Sequence, residues 1–182
     1  MNKNVKELAD KNIFGITLQR LAYQLIENHD DFSESVIIGL QPRGIYLSRR
    51  IHNILSEILK TKILHGELDV TFFRDDFRQR EELITPSSTQ VDFIVENKKV
   101  ILVDDVLFTG RTIRAGLDAL LAFGRPAKVE LLVLVDRRYS RHVPMEPDYV
   151  GIAVDTISSQ KVKVSWKETD GEDNIIMLSS EK

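Results

Sequence analysis

The run Val100-Ile101-Leu102-Val103-Asp104-Asp105-Val106-Leu107-Phe108-Thr109-Gly110-Arg111-Thr112 narrows the choice of fold more than any other part of the chain. Its apolar start is too short for a typical helix and rich in β-branched residues, the pattern of a strand buried on both faces of a parallel sheet. Two adjacent carboxylates, Asp104 and Asp105, close that run. A Thr-Gly-Arg-Thr turn follows, and then Ile113, Leu117, Leu120 and Leu121 recur at helical spacing. Acids at the carboxyl end of a parallel strand, with a turn opening a helix, stand where open α/β sheets bind ligands. The N–H groups and positive dipole end of the helix attract a phosphate. The carboxylates beside it suit ribose hydroxyls or magnesium. An isolated Asp-Asp pair is usually a solvated strand end or a helix cap; the flanking apolar run and hydroxyl-rich turn favour the ligand role.

The rest of the chain supplies a setting for this run. It has 182 residues, enough for one domain with a real core, and no repeat or linker divides it. An amphipathic helix is expected from near Asp10 to Asn28 on the spacing of Phe14, Leu18, Leu21 and Leu25, although Gly15 weakens its start. A buried strand at 35–40 leads into Gln41-Pro42-Arg43-Gly44, a turn signal, and then into a helix with Leu47, Ile51, Ile54, Leu55 and Ile58 on one face. Residues 63–73 alternate loosely, as in a strand. From Arg74 to Lys98 the chain is polar and broken by Pro86, which reads as a solvated hairpin or a functional loop. Phe123-Gly124-Arg125-Pro126 stops the central helix. Another buried strand, 128–135, ends in Asp136-Arg137 at the same edge as Asp104 and Asp105. Finally Val162, Val164 and Trp166 alternate with polar residues, and Asp170-Gly171 signals a hairpin back into Ile175-Ile176-Met177-Leu178. Trp166 reads as core.

Composition removes several function classes. A net charge of -3 gives no global basic field for nucleic acid, though a local patch stays open. With no cysteine there are no disulfides or Cys-based zinc sites, which fits a reducing cytoplasm. His29, His52, His65 and His142 fall at no metal-ligand spacing. The N-terminus lacks the apolar segment of a signal peptide, and no apolar run is long enough to span a membrane, so a cytoplasmic location is expected.

These motifs resemble the phosphoribosyl-pyrophosphate (PRPP) site of type I phosphoribosyltransferases. From about Leu18 to near the C-terminus the chain is similar to the bifunctional pyrimidine operon attenuator/uracil phosphoribosyltransferase family, PyrR. The resemblance implies an α/β fold with a mainly parallel central sheet flanked by helices. A flexible loop would follow Phe73, and a small hood would come from the N-terminal helix region and residues 148–182. It implies that uracil and PRPP give UMP and pyrophosphate, with Mg2+ delivered on PRPP. Asp104 and Asp105 then hold the ribose hydroxyls directly or through Mg2+, and place negative charge near an oxocarbenium-like transition state. Val106, Leu107 and Phe108 line the PRPP site, and Thr109, Gly110, Arg111 and Thr112 cradle the 5′-phosphate. A side chain at Gly110 would block that approach. Pro42, Arg43 and Gly44 form the pyrophosphate turn, where this family often carries a cis peptide next to Pro42 or Arg43. On the loop, Arg74, Arg78 and Arg80 are candidates to meet pyrophosphate on closure, and Arg74 is also counted as catalytic; the sequence does not choose among them. A homodimer or higher homo-oligomer is implied as well.

Two positions bear on the base. Purine transferases of the superfamily typically place an aspartate just before the Thr-Gly, and a lysine at the end of the next strand. Here those places hold Phe108 and Asp136-Arg137. Phe108 and Arg137 are therefore assigned to a uracil pocket, the alternative being that Arg137 pairs with Asp136 or another acid. PyrR proteins often also bind pyrimidine leader mRNA when UMP is bound, which needs a basic face. At the matching positions this chain carries Gln19, Arg20, Tyr23 and Asn28, then Arg137-Arg138-Tyr139-Ser140-Arg141 with one extra residue, Glu146 and Ile152. Arg20 and Arg141 are the basic residues retained for RNA. The expectation is a retained transferase with weakened or lost attenuation. The alternatives are an mRNA-binding attenuator or nucleotide sensor with little turnover, and a transferase for another free base.

Overall fold

The computed structural model describes residues 3–73, 88–157 and 159–180. Strand β1 (Lys3–Ala9) leads into helix α1 (Lys11–His29), whose N-cap Asp10 accepts the Ile13 N–H at 2.8 Å. The expected stripe Phe14, Leu18, Leu21 and Leu25 is the buried face of α1. Then come β2 (Ser35–Leu40), α2 (Gly44–Leu59) and β3 (Leu64–Leu68), with one 3-10 turn at Thr71–Phe73. Beyond the undescribed residues lie β4 (Lys99–Leu107), α3 (Arg111–Leu120), β5 (Lys128–Arg138) and β6 (Tyr149–Asp155). The chain finishes with β7 (Gln160–Ser165), the single turn α4 (Lys167–Asp170) and β8 (Asn174–Ser180).

β2 to β6 form an all-parallel sheet in the order β3-β2-β4-β5-β6. Alternation along each strand splits its side chains between two cores. Ile37, Ile101, Val103, Leu132 and Leu134 face α1 and α2. Val36, Ile38, Val100, Leu102, Leu131 and Val133 belong to the core shared with α3. Helices on both faces are why these strands read as unbroken apolar runs. Each fully buried Val, Leu or Ile contributes about 1.5–3 kcal/mol, so the central strand β4 holds much of the fold together. Among the described residues no helix is long and apolar enough to cross a membrane.

A smaller antiparallel sheet, β1-β8-β7, caps one end. It joins the main core through Trp166, which is fully buried, edge-on to Phe14 at 5.2 Å and tilted against Tyr46 at 5.9 Å.

The structure corrects four details of the sequence reading. β4 does not end at the acids: its pairing with β5 continues through Val106 and Leu107. Leu121 leaves the buried face of α3 and is 64% exposed in a 3-10 turn. The strand expected over 63–73 stops at Leu68. The hood does not start at residue 148. Residues 149–155 are the edge strand of the parallel sheet, and the N-terminal part of the small sheet is strand β1, not α1, which packs beneath the large sheet. β1 pairs with β8 from the opposite end of the chain, and its short polar pattern carries no local sign of that partner.

Candidate active site

Three connections converge at the carboxyl edge of the parallel sheet. The first is the turn after β2. Its Gln41-Pro42 peptide is cis, beside Pro42 as expected. The turn rests directly on β4: a Cβ on Gly44 would lie 2.4 Å from the Val103 carbonyl oxygen and 2.9 Å from Asp104 Cα. Only glycine permits that contact. Arg43, at the N-cap of α2, reaches across and donates from Nε to Asp105 Oδ2 at 3.2 Å.

The second is the end of β4. Asp104 and Asp105 are both buried, and Asp104 Oδ1 accepts the Asp105 N–H at 2.9 Å. Burial pushes the Asp105 carboxyl above its ordinary pKa, while the Arg43 guanidinium pulls it back. A recess of about 260 Å3 is lined by Asp104 and residues 106–113. At its rim Gly110 caps α3 in the left-handed region, φ 84°, and supplies no side-chain cap. The amino end of α3 thus faces the recess without a side-chain oxygen from its own cap, a setting made for an anion.

The third is the end of β5. Phe108 is half-exposed, and the buried Arg137 guanidinium lies 3.8 Å from its ring centroid, a close cation–π stack. Arg137 donates from Nε to Thr156 Oγ1 at 3.2 Å and from Nη2 to the Gln160 carbonyl at 2.7 Å. It does not pair with Asp136, the alternative left open by the sequence; Asp136 accepts from Arg141 instead.

The structure thus brings Pro42, Arg43, Gly44, Asp104, Asp105, residues 106–112 and Arg137 to one edge. Arg74, Arg78 and Arg80 lie outside the described residues. Arg20 is on α1, away from this edge, and donates to the Val150 and Gly151 carbonyls at 3.2 and 2.5 Å. Arg141 is beside the site but turned inward. Its Nη1 donates to the Phe108, Arg137 and Leu107 carbonyls at 2.7, 2.9 and 3.3 Å. Both guanidinium groups retained for RNA therefore bind the chain's own backbone.

Sequence reasoning missed two parts. Residues 141–145 brace the 109–112 turn from behind. Besides Arg141, the His142 and Val143 N–H groups donate to the Thr109 carbonyl at 3.0 and 3.1 Å. The other is Asp170 of the hood, whose Oδ2 lies 3.2 Å from Arg43 Nη2. Asp170-Gly171 signalled a turn and nothing more.

Comparison with known proteins agrees with this geometry. The family model described as "Phosphoribosyl transferase domain" matches residues 4–169. "Bifunctional protein PyrR" of Desulfosudis oleivorans is 49% identical over 160 residues, 88% of each chain. "Bifunctional protein PyrR" of Elusimicrobium minutum is 41% identical over 178 residues, 98% of this chain and 97% of its own. Among solved structures, the hypoxanthine phosphoribosyltransferase of Trypanosoma cruzi superposes with a TM-score of 0.72 at 18% identity, covering 97% of each chain. At that identity the likeness concerns the fold alone.

Proposed function

The chain belongs to the phosphoribosyltransferase family and to its PyrR branch, and from that premise we propose that it joins uracil to PRPP, giving UMP and pyrophosphate. The observation that carries this reading is the meeting of Asp104 and the 109–112 turn in one recess, with Asp105 next to it against Arg43 and the Phe108–Arg137 stack beside it. The 5′-phosphate sits on the turn and the amino end of α3. Asp104 and Asp105 take the ribose hydroxyls and face the positive charge that grows on the anomeric carbon as pyrophosphate departs. Arg43 meets the leaving group. The loop arginines Arg74, Arg78 and Arg80 belong to the same proposal, as candidates to close over it and exclude water.

Mg2+ fits this site as a companion of PRPP. Magnesium commonly takes one or two carboxylates plus substrate phosphates, and Asp104 and Asp105 are that pair. Among the described residues no group of three or more His, Asp or Glu could hold a metal by itself. When bound, the ion neutralises charge on the leaving group.

Base choice rests on Phe108, which puts an apolar ring where a purine enzyme of the superfamily carries a carboxylate. Steady-state rates with PRPP across free bases test it. The expected kcat/KM for uracil exceeds that for hypoxanthine and guanine by about a thousandfold or more, the scale of hydrogen-bond-based discrimination. Comparable turnover of hypoxanthine would contradict the assignment. Arg141, turned inward, and Arg20, exposed but tied to the Val150 and Gly151 carbonyls, together with Tyr23, Glu146 and Ile152, support a second part of the proposal: RNA control is weakened. UMP-dependent, tight and sequence-specific binding to the organism's own pyrimidine leader RNA would overturn that part.

A further inference from the structure

The Arg43 guanidinium spans from the ribose acid to the hood. Nε donates to Asp105, while Nη2 donates to the Val164 carbonyl at 2.6 Å and to Asp170 Oδ2 at 3.2 Å. Two of its three acceptors therefore belong to the small sheet and its connecting turn. The Asp105 carboxylate can accept from a ribose hydroxyl beside the single Arg43 N–H, but the hydroxyl and Mg2+ compete with Arg43 for its charge, and substrate binding weakens that bond. What then keeps the guanidinium at the sheet edge is the hood.

Asp170 is built for this. Its carboxylate accepts from the Trp166 N–H and from Thr169 Oγ1, both at 3.0 Å, and Lys163 Nζ is 3.5 Å away. The Trp166 amide foremost, then Thr169 and Arg43, hold its pKa down to about 2. It is ionised whenever the enzyme works. Trp166 itself is locked in the core by Phe14 and Tyr46. The hairpin tip is strapped to α2 a second time, because Arg50 binds Glu168 at 2.6 Å and Asp173 at 2.7 Å. Asp170 is thus a fixed carboxylate on a fixed turn, aimed at the one arginine of the pyrophosphate turn.

We propose that Asp170 is a positioning residue for the transfer reaction: it retains Arg43 at the departing pyrophosphate when Asp105 turns to the ribose. The inference rests on the transferase reading above and adds to it a residue from the hood.

A double-mutant cycle on the full chain tests it, with Asp170→Asn, Arg43→Gln and the pair. Asp170→Asn is expected to raise KM for PRPP about tenfold, the effect of losing one charge-assisted hydrogen bond, and to leave KM for uracil within about twofold. In the Arg43→Gln background the same change is expected to have no further effect. Asp170→Glu, which keeps the charge, should recover part of the loss. The proposal is overturned if Asp170→Asn costs the same factor with and without Arg43. Wild-type protein with no PRPP-dependent turnover of any base would remove the transferase reading and this inference together, and that result precedes any variant.

Discussion

Burial and the Arg43 guanidinium pull the Asp105 carboxyl in opposite directions, and burial wins, so its pKa is raised. A carboxyl with a raised folded pKa favours the fold below its unfolded pKa and loses that contribution as pH rises through the folded value. Ionising Asp105 within the fold therefore costs stability. Asp105→Asn is expected to raise Tm by about 2–4 °C for each kcal/mol relieved; a lower Tm would mean that the Arg43 pair outweighs the burial. Gly44 is constrained in the other way. Gly44→Ala places a methyl against the β4 backbone, and overpacking of this kind costs about 1–3 kcal/mol. Thermal melts should show the loss, with a raised KM for PRPP as the turn lifts off Asp104. At this scale much of the site was readable: the acids and the glycine turn follow one another in one stretch, and Arg43 stands in a strand–turn–helix signal of its own. The Phe108–Arg137 stack was not, because a whole helix and strand lie between two side chains whose contact depends on the β4–β5 register.

Among the elements, the segment behind the phosphate turn shows what a one-dimensional reading loses. Arg141 looked like a basic surface residue after a strand. Its guanidinium instead satisfies carbonyls at the ends of β4 and β5 and pairs with Asp136. Replacing it leaves those carbonyls and one largely buried carboxylate without their donor. Arg141→Met is expected to raise KM for PRPP about tenfold and to lower Tm, since breaking a buried pair costs about 3–5 kcal/mol. An unchanged KM in a folded variant would show that the turn holds its own shape. The parallel strands were legible because both faces are buried and the apolar runs are continuous. The hood was half legible: the β7–β8 pair follows from local alternation and Gly171, whereas β1 finds its partner across the whole length of the chain.

At the level of the whole molecule, the proposed substrate edge and a buried polar cluster lie at opposite ends of the parallel sheet. At the amino edge of the sheet His29 bridges Ser35 at 2.8 Å and Glu130 at 2.8 Å, and Tyr149 also donates to Glu130, which ties α1, β2, β5 and β6 together. Burial lowers the His29 pKa against the pull of Glu130. Burial and then His52 lower His65 to about 4. A depressed folded pKa gives stability that is present above the unfolded value, about 6.5 for histidine, and lost as pH falls toward the folded one. Tm is expected to drop between about pH 6.5 and about 4, and His65→Gln to flatten part of that slope. A flat wild-type profile in this window would contradict the assignment. The sheet as a whole followed from the chain; its two polar edges, the one proposed for substrate and the one built around His29 and Glu130, became distinct only in three dimensions.

The central claim is that the Asp104–Asp105 edge carries out transfer of a phosphoribosyl group to uracil. The most direct measurement follows UMP and pyrophosphate together from uracil, PRPP and Mg2+, with wild-type protein and with folded Asp105→Asn. Wild type is expected to give equal amounts of the two products, and the variant a rate lowered about a hundredfold or more, the loss seen when one preorganised electrostatic group is removed. No UMP from folded wild type, or a wild-type rate from Asp105→Asn, would contradict it.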